Sequence, residues 1–188
     1  MIPADITFKR LHDTIQFSMN WFDNHLYEFH FPLEKLRITN DVESYDEFKF
    51  YSAKYKSKKL TNGHIASILE TVVRQPQTVK IDKYLEKYKT IDYVYDFGDD
   101  WQHRITLEKT IDNYEFGYPV ILEGEENCPP EDVGGIGGYE EFLLAWNDPK
   151  HPEHEDMRQW GKSQYYREFD IDFRNNLLKT CLKIKKVK

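Results

Sequence analysis

Tyr93-Val94-Tyr95-Asp96-Phe97-Gly98-Asp99-Asp100-Trp101-Gln102-His103 is the stretch that decides the fold. With Ile91 added, Ile91, Tyr93, Tyr95 and Phe97 fall on one side of a strand, and Asp92, Val94 and Asp96 on the other. Beyond the turn, His103, Ile105 and Leu107 alternate with Arg104, Thr106 and Glu108. Gly98-Asp99-Asp100 between these runs predicts a short-loop hairpin of two half-buried antiparallel strands. Its turn gathers the chain's densest polar chemistry.

Working outward, Phe8, Leu11, Ile15 and Met19 recur at helical spacing, with Asp5 or Thr7 as cap. His25 to Phe31 is aromatic and strand-like, ending at Pro32. Glu47 to Ser52 alternates and predicts another strand. Ile65, Ile68, Leu69 and Val72 share one helical face over His64 to Val73, Val79 to Ile81 is extended, and Asp82 opens a short helix through Tyr88. Downstream, Tyr118 to Glu123 predicts a strand, and the Cys128 to Gly138 loop is stiffened by prolines and bent by glycines. Helices are expected over Tyr139 to Asn147, from Pro152 to Trp160, and from Asp172 through Cys181. Strands in the middle and helices towards both ends predict an α+β single domain: a central, mainly antiparallel sheet with the N- and C-terminal helices packed on it. The absence of regular strand-helix alternation disfavours a doubly wound nucleotide-binding fold.

The 188 residues suffice for one substantial core, and 15% aromatic residues supply much of the area to be buried. A formal charge of −7 excludes general attraction to nucleic acid or to an anionic membrane. Only Lys54 to Lys59, with Tyr51 and Tyr55 nearby, and the tail Lys183 to Lys188 offer a local nucleic-acid contact. Between Asp112 and Asp156 the acids outnumber Lys150 heavily, and this charge split suits a protein partner. Two widely spaced cysteines and no leader-like or bilayer-length apolar run lead to the expectation of a cytoplasmic, non-membrane protein.

Leu11-His12 with Ile15-Gln16, Trp21 with His25-Leu26 and Phe29, and Tyr95-Asp96-Phe97-Gly98-Asp99 with Trp101 and His103 form an ordered set. Cys128-Pro129-Pro130-Glu131-Asp132 with Gly134-Gly135 and Gly138 to Phe142, then Asp148-Pro149 with His151 to His154, complete it. In order and spacing the set resembles the plasmid pRiA4b Orf-3-like domain family over nearly the whole chain, 1–188 as a single domain. Some members carry a transposon-passenger or resolvase-like label, so the resemblance alone links the chain to mobile elements. It also implies a basic first strand ahead of Pro3 that this sequence lacks, and hence an open sheet edge for a partner chain or a homodimer. The segment Pro32 to Lys80 is longer and less patterned than the resemblance implies.

The candidate ligand-binding residues are His25, Asp96, Asp99, Trp101, His103, Cys128, Glu131 and Asp132. Carboxylate, imidazole and thiolate are metal-ligand types, so a divalent metal is the cofactor they suit, with Asp99, His103 and Cys128 as weak metal candidates. None has zinc-finger, Cys-x-x-Cys or His-Glu-x-x-His spacing. The competing structural reading has Asp96 and Asp99 capping the turn, His25 and His103 hydrogen-bonded beside the sheet, and Cys128 a small buried residue. The glycines before Tyr139 lack a following Lys-Ser/Thr and are flanked by acids, which argues against a phosphate loop. Three readings stay open: a binding or accessory module; a metal-dependent or thiol-assisted enzyme; and a nucleic-acid accessory protein.

Overall fold

The computed structural model describes residues 1–55 and 63–183. Five strands form one sheet in the order β3-β2-β1-β4-β5, with β1 Tyr27–Phe31, β2 Leu36–Thr39, β3 Val72–Arg74, β4 Thr90–Tyr95 and β5 Trp101–Thr106. Only β2 and β3 run parallel; every other pair is antiparallel. The expected hairpin is β4–β5, in which Tyr93 faces His103 and Tyr95 faces Trp101. Strand β5 forms one edge of the sheet.

The core lies on one sheet face because alternate residues of three strands are aromatic or aliphatic: Tyr27, Phe29 and Phe31 of β1, Ile91, Tyr93 and Tyr95 of β4, and Ile38 of β2 are all buried. Helix α1 (Phe8–Met19) covers that face with Phe8, Leu11 and His12. Thr7 caps it by accepting from the Arg10 N–H, and Asn20 ends it in the left-handed region. The ring of Phe8 meets that of Phe29 at 4.9 Å, and Phe29 meets Tyr93 at 4.8 Å. Helix α4 (Asp82–Tyr88) adds Leu85 and Tyr84, and Ile6 and Ile81 close the end of the core.

Several elements differ from expectation. Glu47 to Ser52 lies within helix α2 (Val42–Lys54), not a strand, because the Asp41 carboxylate caps the Ser44 N–H at 3.1 Å and starts a helix that runs through the alternating stretch. No residue of α2 is buried, so local capping rather than core burial sets its conformation. Helix α3 (Gly63–Glu70) is shorter than expected, and Val72 and Val73 move into β3, where Val72 donates to the Lys35 carbonyl. Helices therefore also fill the middle of the chain. Tyr118 to Glu123 forms no strand: Val120 exchanges backbone bonds with Met1, and the Asn175 side chain takes both polar groups of Ile121, leaving nothing to pair with the sheet. Phe97 sits in the turn and is exposed rather than core.

The C-terminal part comprises α5 (Gly135–Asn147), α6 (His154–Ser163) and α7 (Ile171–Cys181). Phe142, Trp146, Trp160 and Tyr166 form its aromatic centre. Of the basic stretch, Lys56 to Lys59 lie outside the described residues, as do residues 184–188 of the tail. No helix among the described residues is long and apolar enough to cross a membrane.

Candidate functional site

The Cys128 to Gly138 loop folds over the hairpin end, and one buried carboxylate holds it there. Glu131 is 4% exposed. It accepts hydrogen bonds from the Tyr95 hydroxyl, from the Phe22 N–H at 3.0 Å and from the Asn24 amide at 3.1 Å. Beside it the Trp21 indole donates to the Pro129 carbonyl at 3.0 Å while stacking on Tyr95. Asp99 accepts from the Gly134 N–H at 3.1 Å. Gly135, at φ +67°, lies so close that a Cβ there would stand 2.7 Å from the Asp99 carbonyl oxygen. A Cβ on Gly138 would stand 1.9 Å from the Val133 carbonyl oxygen. Gly138→Ala is therefore expected to cost roughly 2–4 kcal/mol, read as a lowered urea midpoint; an unchanged midpoint would contradict this packing.

The closed loop brings three of the candidate residues together. Asp96, in the left-handed region at φ 56°, caps the turn with Oδ1, accepting from the N–H groups of Gly98 at 2.9 Å and Asp99 at 3.4 Å. Its Oδ2 lies 3.6 Å from His25 Nε2, and Asp132 Oδ1 lies 3.1 Å from the same nitrogen. Asp132 is also left-handed, at φ 58°, so both carboxylates that face His25 stand on left-handed non-glycine residues. His25 Nε2 is buried yet has no hydrogen bond of acceptable geometry. One imidazole and two carboxylates thus present ligand atoms within 4.8 Å of one another.

The other candidates lie elsewhere. Trp101, His103 and Cys128 line a cavity between β5, the C-terminal end of α1, residues 121–129 and α7. His103 Nδ1 is held by the Trp101 carbonyl at 3.0 Å, and burial lowers its pKa, so the ring is neutral. Burial pushes the Cys128 thiol up to about 12, leaving it protonated at neutral pH. The weak metal candidates Asp99, His103 and Cys128 are not among the metal-competent groupings of the described residues. Asp99 ties down the loop, while the other two face the cavity.

A second grouping, His12, Asp13 and Asp23, escaped the sequence reading. Here His12 Nε2 bonds Asp23 at 2.7 Å, His12 Nδ1 bonds the Tyr93 hydroxyl at 2.8 Å, Gln16 donates to that hydroxyl at 3.3 Å, and the Asp23 N–H returns to Gln16 at 2.9 Å. This is a closed ring of hydrogen bonds. The ring uses both His12 nitrogens, and Lys9 pairs with Asp13 and Asp23, so the cluster is already satisfied. A histidine on the apolar stripe of Phe8, Leu11 and Ile15 was the legible signal.

The family model for plasmid pRiA4b ORF-3-like protein matches residues 1–176. The chain belongs to the plasmid pRiA4b ORF-3-like family. Within reach of this ORF-3-like chain, uncharacterized protein y4hQ of Sinorhizobium fredii (strain NBRC 101917 / NGR234) is 34% identical over 166 residues, covering 88% of this chain and 73% of that one. The crystal structure of MM3350, a protein of unknown function from Methanosarcina mazei Go1, superposes with a TM-score of 0.65 at 30% identity, covering 91% of this chain and 84% of that one. With 91% of this chain covered, the fold it shares with MM3350 spans almost all of its length.

Proposed function

We propose that the protein is a cytoplasmic binding module whose functional centre is a divalent-cation site made by His25, Asp96 and Asp132. The carrying observation is His25 Nε2, buried and without a hydrogen bond between two carboxylates. With its lone pair free, this imidazole nitrogen and two carboxylates repel one another unless a metal cation lies between them. One nitrogen and two oxygens suit zinc, manganese or iron(II), and the largely exposed Asp132 leaves positions open for water or a ligand. Two free cysteines support a reducing compartment. The thiol-assisted alternative loses support from the protonated Cys128.

Protein purified without a His tag and titrated calorimetrically with manganese and zinc is expected to take up one equivalent. Asp132→Asn should weaken that uptake by more than about tenfold while leaving the thermal midpoint of the metal-free protein nearly unchanged, since Asp132 is exposed. No saturable uptake, or equal uptake by the variant, would sink the proposal.

A further inference from the structure

Arg174 stands on the face of α7 that carries Leu178, and only 4% of it is exposed. A buried guanidinium ordinarily requires a carboxylate partner, because its charge has been taken out of water. Among the described residues none pairs with it. Its Nη1 donates to the Asn20 side-chain oxygen at 2.5 Å, while its Nε–H is buried with no acceptor at all. The charge is therefore half-satisfied.

What it lines is a cavity of about 430 Å³. Arg167 shares this cavity, its guanidinium lying 3.7 Å over the Phe173 ring, and adds a second positive charge. Trp21, Trp101 and Phe169 supply flat apolar walls. Glu123, Glu125 and Glu126 stand exposed among the lining residues. Acids beside the cavity repel a polyanion, whereas a single negative charge that reaches Arg174 is neutralised there. A guanidinium takes a carboxylate in fork geometry, and the volume sits at the small end of the roughly 300–1,000 Å³ typical of ligand pockets.

We propose that this cavity binds a small organic monoanion, a carboxylate on a flat apolar body, with Arg174 as the carboxylate receptor and Trp21 and Trp101 as the walls. The cation site plays no part in this inference. Its test is therefore run on the full chain in EDTA, with tryptophan fluorescence as the readout, because two tryptophans line the cavity.

Benzoate is expected to change the emission saturably, and benzamide, its uncharged counterpart, to bind at least about tenfold more weakly. Arg174→Met should remove the benzoate response. Ser18→Phe, which adds a ring at the cavity wall and keeps the Arg174 guanidinium, should remove it as well, and Asp132→Asn should leave it intact. Equal responses to benzoate and benzamide in the unaltered protein would overturn the proposal even if Arg174→Met fails to fold. So would no saturable response to benzoate, or a response that survives Ser18→Phe. Absence of metal uptake by the unaltered protein, alongside intact benzoate binding, would overturn the cation site alone.

Discussion

Replacing Glu131 by alanine is expected to lower the unfolding free energy by about 3–5 kcal/mol, the largest effect of any substitution at the candidate site. The carboxylate is buried and accepts from three donors on two other parts of the chain: the Tyr95 hydroxyl, the Phe22 N–H and the Asn24 amide. Removing it strands the buried Tyr95 hydroxyl, which costs about 1–3 kcal/mol, leaves a void under the loop, and releases the Phe22 and Asn24 donors, which sit on exposed residues. Glutamine is the sharper probe. It keeps one carbonyl oxygen for Tyr95 or Phe22 but turns an NH2 towards other donors, so Glu131→Gln should fall between alanine and the unaltered protein. Chemical denaturation measures both. The same substitutions should weaken manganese uptake, because Glu131 holds the loop that carries Asp132 to His25. Full stability in Glu131→Ala would mean that the loop is held by Trp21 and Asp99 instead.

That dependence explains which parts of the site were legible in the sequence. The hairpin and its turn were readable because period-two alternation and Gly-Asp chemistry are local signals. That Asp96 and Asp132 meet was only conditionally readable, because their approach depends on Glu131 reaching Tyr95 across 36 positions of sequence. His25 is a candidate on sequence alone, but its two partners emerge only when the loop closes. The failures have the same root. Glu47 to Ser52 alternates like a strand, yet the Asp41 cap ahead of it set a helix, and Tyr118 to Glu123 found its partners in Met1 and Asn175 rather than in a neighbouring strand. Arg174 is illegible in the sequence because a charge four residues before Leu178 marks a buried face only once that face is known.

Acidification is expected to destabilise the protein between about pH 6.5 and pH 4, before most carboxylates titrate, and His12 is the principal cause. Burial lowers its pKa from 6.5 to about 4, outweighing the nearby Asp23 and Asp13, which favour the cation, while Lys9 opposes it. The neutral ring is what the hydrogen-bond cycle needs: Asp23 can only accept, so Nε2–H donates to it, and Nδ1 accepts from the Tyr93 hydroxyl. Tyr27 stacked at 3.5 Å leaves no room for water to solvate a charge. The unfolded chain takes a proton near pH 6.5 and the folded chain only near 4, so the unfolded state binds more protons in that window and stability falls as pH falls through it. The contribution is fully present above pH 6.5, and its loss amounts to about 3 kcal/mol by pH 4. His103, also lowered by burial, adds in the same direction. Carboxylates held below their usual range, such as Asp41 with its bonds to Ser44, lose their contribution only below about pH 4 and do not mask the effect. Denaturation midpoints measured from pH 7.5 to 4 should trace this fall. His12→Phe, less stable at every pH because Tyr93 and Asp23 lose their partner, should show a markedly flatter profile. A profile as steep in that variant as in the unaltered protein would assign the acid sensitivity to other groups.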